Sequence, residues 1–243
     1  MKKKFNINEF IWFLILLSFS LYFYNLLHTS KIDEFINPKL IKYSYFTLGA
    51  LIIFTLFQIS NIFSKRRSKV LKKGYALFFI PLFLGVVVNP RGFDTAMAHN
   101  KGVNIDQSFF HIIHEDFTKG NKINITEENF FDAHTEIVEK VDKYSGKEIS
   151  LQGFIYTNKK FKYNQFVVAR MAISFCAADG QVIGFLSETD KAQYIKANQW
   201  VKVDGVIDKT TATNNDGKKY IIPIIKIKNL EYIKEPVNKY VYN

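Results

Sequence analysis

The chain has 243 residues, one cysteine and a formal net charge of +11, so it forms no internal disulfide and holds no paired-cysteine zinc site. A positive charge of this size fits a nucleic-acid binder, but its distribution argues otherwise. Residues 1–90 carry 12 Lys and Arg against 3 Asp and Glu, a net of +9, whereas residues 91–243 carry 21 against 19, a net of +2. The excess lies in the apolar third of the chain, where basic residues orient membrane segments rather than grip phosphates.

Lys2, Lys3 and Lys4 precede an apolar run from Phe10 to Leu27 that only serines and Asn25 interrupt. Its length, about 18 residues, suffices to cross a ~30 Å hydrocarbon core as a helix. A cleavable signal peptide is the rival reading. No small-x-small site follows the run, and Tyr22, Phe23 and Tyr24 are bulky there, so an uncleaved span in the lipid bilayer is expected. The second run, Tyr43 to Phe63, is free of charge and ends in a basic cluster, Lys65, Arg66, Arg67, Lys69, Lys72 and Lys73. Between two apolar runs such a cluster reads as a cytoplasmic topology signal. The third run, Tyr75 to Val88, has 14 residues and contains Pro81 and Gly85. It is shorter than the ~17–25 residues of a usual span. With Lys72 and Lys73 snorkelling to the interface it is expected to cross; the alternative is a re-entrant or interfacial segment. Three spans, at about 10–28, 43–63 and 72–89, place everything after Asn89-Pro90 outside the cytoplasmic membrane, and two would leave it inside.

Residues 91–145 are expected to be a linker that contains an amphipathic helix. Phe109, Phe110, Ile112, Ile113 and Phe117 fit a short helix ended by Gly120. Thr126 is the expected N-cap of the next one, with Glu127 and Glu128 at its positive end. Phe130, His134, Ile137, Val141 and Tyr144 then recur at helical spacing up to Ser145-Gly146. Four of the five histidines, His99, His111, His114 and His134, fall in this stretch. His111 and His114 stand i,i+3 beside Glu115 and Asp116, a spacing that can hold a divalent metal. It matches no named site, and isolated histidines of this kind usually serve at a surface or in packing.

Residues 146–243 read as a small β domain. Lys147 to Thr157 alternates, with Ile149, Leu151, Gly153 and Ile155 on one face. From Phe166 to Phe175 only Arg170 and Ser174 are polar, which suits a strand covered on both faces. Asp179-Gly180 is expected to be a two-residue turn into a strand from Gln181 to Ser187. Glu188 to Asn198 is a short helix candidate. Trp200 to Asp208 alternates again, Thr210 to Lys219 forms a polar loop, and Tyr220 to Ile233 closes the set with Pro223 at an edge or bulge. Three strands, a helix and two strands make the order of an OB-like β-barrel. The expected class is therefore an α+β membrane protein, with about three transmembrane helices before an OB-like barrel. Gly153 and Gly205, inside strands, suit the close backbone approach of a small barrel. No nucleic-acid partner is expected, because this domain is near neutral and the expected topology places it outside the cytoplasmic membrane.

Cys176 ends the apolar strand close to Asp179. Burial is the default for a lone cysteine in such a run. Nucleophilic catalysis would need a nearby base, and residues 135–243 contain no histidine. The chain also lacks a P-loop, HExxH, GxSxG or a Gly-rich dinucleotide turn, so no enzyme is expected.

Ser145-Gly146-Lys147, Gln152-Gly153-Phe154-Ile155-Tyr156, Phe166-Val167-Val168-Ala169-Arg170, Cys176-Ala177-Ala178-Asp179 and Trp200-Val201-Lys202-Val203-Asp204-Gly205 resemble the YcgQ-like family of proposed permease subunits over nearly the whole chain. The resemblance implies an integral membrane accessory subunit that works with a multi-span permease. Its extracytoplasmic domain would contact substrate or that partner, and Arg170, Cys176 and Asp179 would be motif residues. Where the family usually shows two adjacent cysteines, Phe175 replaces the first here, and Gly180 stands where alanine is usual. The alternative is a membrane-tethered metal-binding or sensing module, with Cys176, Asp179, His111 and His114 as ligands of a divalent metal.

Overall fold

A computed structural model describes residues 4–64, 74–87, 102–106, 118–119, 122–213 and 217–242. They belong to two compact units, Met1–Gly92 and Phe93–Asn243. The basic cluster Lys65, Arg66, Arg67, Lys69, Lys72 and Lys73, the histidines His99, His111 and His114, and the expected helix around Phe109–Phe117 lie outside the described residues.

In the first unit the short strands β1 (Lys4–Phe5) and β2 (Phe63–Ser64) pair antiparallel. They tie together the free ends of two helices of 22 residues each, α1 (Ile7–His28) and α2 (Ile41–Ile62). Asn6 caps α1, its side chain accepting the Asn8 N–H at 3.2 Å. At 1.5 Å per residue each helix runs for ~33 Å, and both are long and apolar enough to cross a membrane. Small polar groups bridge them: the Ser20 and Thr55 hydroxyls lie 3.3 Å apart, and Gln58 Nε2 donates to the Glu9 carboxylate at 2.7 Å. Helix α3 (Tyr75–Val87) has 13 described residues, ~20 Å of helix, less than a bilayer core needs. It packs on α1 through Trp12, whose ring contacts Tyr75 and Phe78, and through Gly85, where a Cβ would stand 2.6 Å from the Tyr22 hydroxyl.

The second unit is mostly sheet. Its elements are β3 (Thr118–Lys119), β4 (Lys122–Asn124), α4 (Phe130–Glu139), α5 (Val141–Tyr144), β5 (Glu148–Tyr156), β6 (Gln165–Ile173), β7 (Gln181–Glu188), β8 (Trp200–Thr213), β9 (Lys219–Tyr232) and β10 (Tyr240–Tyr242). β5 pairs with β6, β6 with β7, β7 with β9, β9 with β8, and β8 again with β5. The five pairings return to their start, and only β7–β9 is parallel. Side chains of alternate parity form two apolar clusters. Ile149, Leu151, Phe166, Val168, Phe185, Val201, Val203 and Ile225 pack together with Phe130, Phe131 and Ile137 of α4. Phe154, Val167, Ala169, Met171, Leu186, Trp200 and Ile224 form the other, beneath Tyr240 of β10. β6 is therefore buried on both faces, as its apolar run requires. At Gly153 and Gly205 a Cβ would stand 2.5 Å from the Ala169 and Lys226 carbonyl oxygens, so the strands can approach only where the side chain is missing.

Several boundaries differ from expectation, each for a local reason. The turn before β7 is a 3-10 turn, Ala177–Asp179, with Gly180 at φ −54°; no positive φ is needed there. α4 starts after Asn129 rather than Thr126, because Asn129 Oδ1 accepts the Thr126 N–H at 2.8 Å and its Nδ2 donates to the Asn124 carbonyl. The helix then breaks at Lys140 before α5. Glu188–Asn198 forms only the 3-10 turn Ala192–Tyr194. β8 and β9 run further into the expected loop, where β-branched Thr211 pairs with Ile221. Residues 122–144, read from the sequence as linker, supply Ile123, Phe130, Phe131, Ile137 and Tyr144 to the first apolar cluster. Pro223 lies just before the segment of β9 that pairs with β7, where a missing N–H costs no ladder bond.

Candidate functional site

The connection from β6 to β7 is built around one carboxylate. Asp179 Oδ1 accepts the Ser174 N–H at 3.1 Å, and Oδ2 accepts those of Phe175 and Cys176 at 2.9 and 3.1 Å. Cys176 reciprocates through its backbone, its carbonyl accepting the Asp179 N–H at 3.0 Å. Three consecutive amides on one anion fix a chain reversal that the apolar sequence could not otherwise make. Cys176 and Asp179, both singled out by sequence, are thus brought together as a structural clasp. Cys176 is half-buried, and the neighbouring Phe175 is 64% exposed. Among the described residues no three His, Cys, Asp or Glu side chains gather as a metal site.

Beside the clasp lies a recess of about 650 Å³ lined by Asn104, Asp106, Asp179 and Gln181. Residues 102–106 form its wall by running along β7: the Asn104 N–H donates to the Val182 carbonyl and the Gly184 N–H to the Asn104 carbonyl. Both carboxylates in the recess have donors, since the Tyr220 hydroxyl bonds to Asp106. That bond, with burial, pushes the Tyr220 hydroxyl up to about 12.

Arg170 has a different environment. The last paired residue of β6 against β5 is Ala169, and the first against β10 is Met171. Arg170 stands at the fork between the two partners. It is 2% exposed. Its Nη2 donates to the Asn238 carbonyl at 3.0 Å, and the guanidinium lies 5.0 Å from the Trp200 ring centroid. Glu127 approaches only to 3.9 Å, and Nε has no hydrogen-bond partner among the described residues. Burial pulls the guanidinium down to about 10 against the opposing effect of Glu127. Arg170 and the Cys176–Asp179 clasp are held by separate sets of partners.

Two titrating groups escaped the sequence reading as sites. From the sequence His134 is a helical-face residue and one of the four histidines of the expected linker. It is fully buried, with Nε2 3.1 Å from the Gly184 carbonyl and its ring against Phe185. A carbonyl only accepts, so Nε2 carries the proton. Burial pushes His134 down to about 4. Burial would raise Glu136, but hydrogen bonds from Lys140, Lys143 and Tyr144 outweigh it and bring the carboxyl to about 2. The i,i+4 spacing of Glu136 and Lys140 was the available signal.

Residues 11–104 match the DUF1980 N-terminal domain and residues 106–243 the DUF1980 C-terminal domain. The UPF0703 protein YcgQ of Bacillus subtilis is 22% identical, over 94% of this chain and 98% of that protein. A Streptococcus mutans protein named "Putative two-component membrane permease complex subunit" is 27% identical, over 88% of this chain and 92% of its own length. Among solved structures, a mitochondrial single-stranded DNA binding protein of S. cerevisiae, Rim1, is 13% identical with a TM-score of 0.25, covering 37% of this chain and 97% of that one. A likeness this slight carries no argument about fold or ligand.

Proposed function

The chain belongs to the DUF1980 family, and from that premise we propose that it is the accessory subunit of a two-component membrane permease. In this reading the first unit is embedded in the bilayer and the second is displayed outside the cytoplasmic membrane, toward a multi-span partner. The observation that carries the reading is the surface of the first unit. Leu56, Phe57, Leu77, Phe83, Val86 and Val87 are all more than 60% exposed, a composition that water disfavours and hydrocarbon accepts. The name of the Streptococcus mutans relative supplies the permease. α3 crosses as a third span when its flanking residues lengthen it, which puts the second unit on the outer side.

The five-strand circuit is, on this account, an OB-like barrel used as a protein-docking module, since residues 91–243 carry a net charge of only +2. The rival module that would hold a metal on Cys176, Asp179, His111 and His114 draws less support, because Asp179 already serves three backbone donors. Affinity purification of the tagged full chain from crosslinked membranes tests the proposal. A multi-span membrane protein recovered in near-equal amount is expected, and recovery of this chain alone would overturn it.

A further inference from the structure

Arginine buried inside a small β domain is normally saturated by acceptors, because each N–H withdrawn from water without a partner loses the hydrogen bond that water gave it. Arg170 departs from that rule. Its Nη2 reaches one carbonyl, its face rests on Trp200, and its buried Nε has no partner among the described residues. Among the described residues the carboxylate that comes nearest, on Glu127, stays at 3.9 Å, beyond the ~3.2 Å limit of a good N–H···O bond.

Arg170 also lines a recess of about 340 Å³, together with Thr126, Glu127, Ser150, Gln152 and Lys202. That volume is near the lower bound for small-molecule sites, ~300 Å³. Arg170 enters the recess from β6, Ser150 and Gln152 from β5 and Lys202 from β8, so these groups are placed by the sheet rather than by a loop. Lys202 stands exposed at the rim. Two cations and one anion line the recess, with hydroxyl and amide groups between them. This set suits an oxyanion, because a guanidinium offers parallel donors to a carboxylate or a phosphate and a nearby ammonium adds unspecific attraction.

We propose that this recess binds a small oxyanion group, carboxylate or phosphate, with Arg170 as its buried donor, Lys202 as its rim cation and Glu127 as an internal competitor that a ligand displaces. The proposal stands independently of the permease reading, since it concerns the chemistry of the second unit alone.

The test uses the full chain in phosphatidylcholine nanodiscs, titrated with inorganic phosphate or with succinate against chloride at matched ionic strength. Thermal unfolding followed by tryptophan fluorescence is the readout, since a ligand that binds only the folded state raises the midpoint. Substitutions are confined to half-exposed or exposed positions, so folding is not at stake. Lys202→Glu is expected to weaken binding by about 10-fold, from the reversal of one charge near the ligand, and Glu127→Gln to tighten it several-fold. Lys159→Glu, an exposed charge not lining the recess, should leave it unchanged. A response to phosphate alone identifies a phosphate ligand, and one to succinate alone a carboxylate. No shift with either anion, or equal shifts in all three variants and wild type, would overturn the proposal.

Discussion

A single carboxylate determines how the longest apolar strand ends. Asp179 gathers the amides of Ser174, Phe175 and Cys176, so the segment singled out by its cysteine owes its shape to its aspartate. His134 shows the opposite situation, a titratable group placed where its charged form has no partner. Its ordinary value is 6.5 and its folded value about 4, so above pH 6.5 it is neutral in both states. As pH falls from 6.5 toward about 4, the unfolded chain takes up a proton that the folded chain refuses, and stability is lost over that window. A shift of this size is worth about 3 kcal/mol. Unfolding of the full chain in detergent micelles, followed from pH 7.5 to 4, should show this loss. The His134→Phe variant should have a flatter profile through the same window; equal slopes in the two proteins would contradict the assignment.

Strands and helices were legible to different depths. β5 to β9 were readable because their apolar residues alternate or run unbroken, and Gly153 and Gly205 marked where strands crowd. The helical spacing from Phe130 to Tyr144 was legible, but Ile123, Phe130 and Phe131 fell in the expected linker, because a three-residue strand has almost no period and an apolar helix face does not name the sheet it packs on. Arg170 was legible as an exception in an apolar run. Its fork, its Trp200 contact and its recess were not, since each depends on a segment distant along the chain: β10 at the fork, Trp200 of β8 against the guanidinium, and Glu127 and Ser150 in the recess. A Cβ at Gly205 would meet the Lys226 oxygen at 2.5 Å and Ile225 Cγ2 at 2.7 Å, next to the register shift between Asp204 and Gly205. Gly205→Ala should cost about 1–3 kcal/mol as overpacking, measured by chemical unfolding. Gly49→Ala in α2, with nothing within 4 Å, should be neutral or slightly stabilising, and equal behaviour of the two variants would refute the crowding argument.

Taken whole, two long apolar helices and one short one precede a domain whose buried apolar clusters come, among the described residues, from positions 123–241, with Val103 and Ile105 packed against one of them. Such a division of labour suits a subunit that is held in the bilayer by one part and recognised through the other. Which side of the membrane the second unit occupies depends on α3, whose described length alone does not reach across. Display on the outer side is the claim from which a partner met beyond the cytoplasmic membrane follows. Thr213 is exposed near the end of β8, which makes it a suitable reporter. The decisive measurement is labelling of Thr213→Cys, in a Cys176→Ser background, with a membrane-impermeant maleimide on intact cells. Labelling without lysis is the predicted result; labelling only after lysis would place the domain in the cytoplasm and contradict the account.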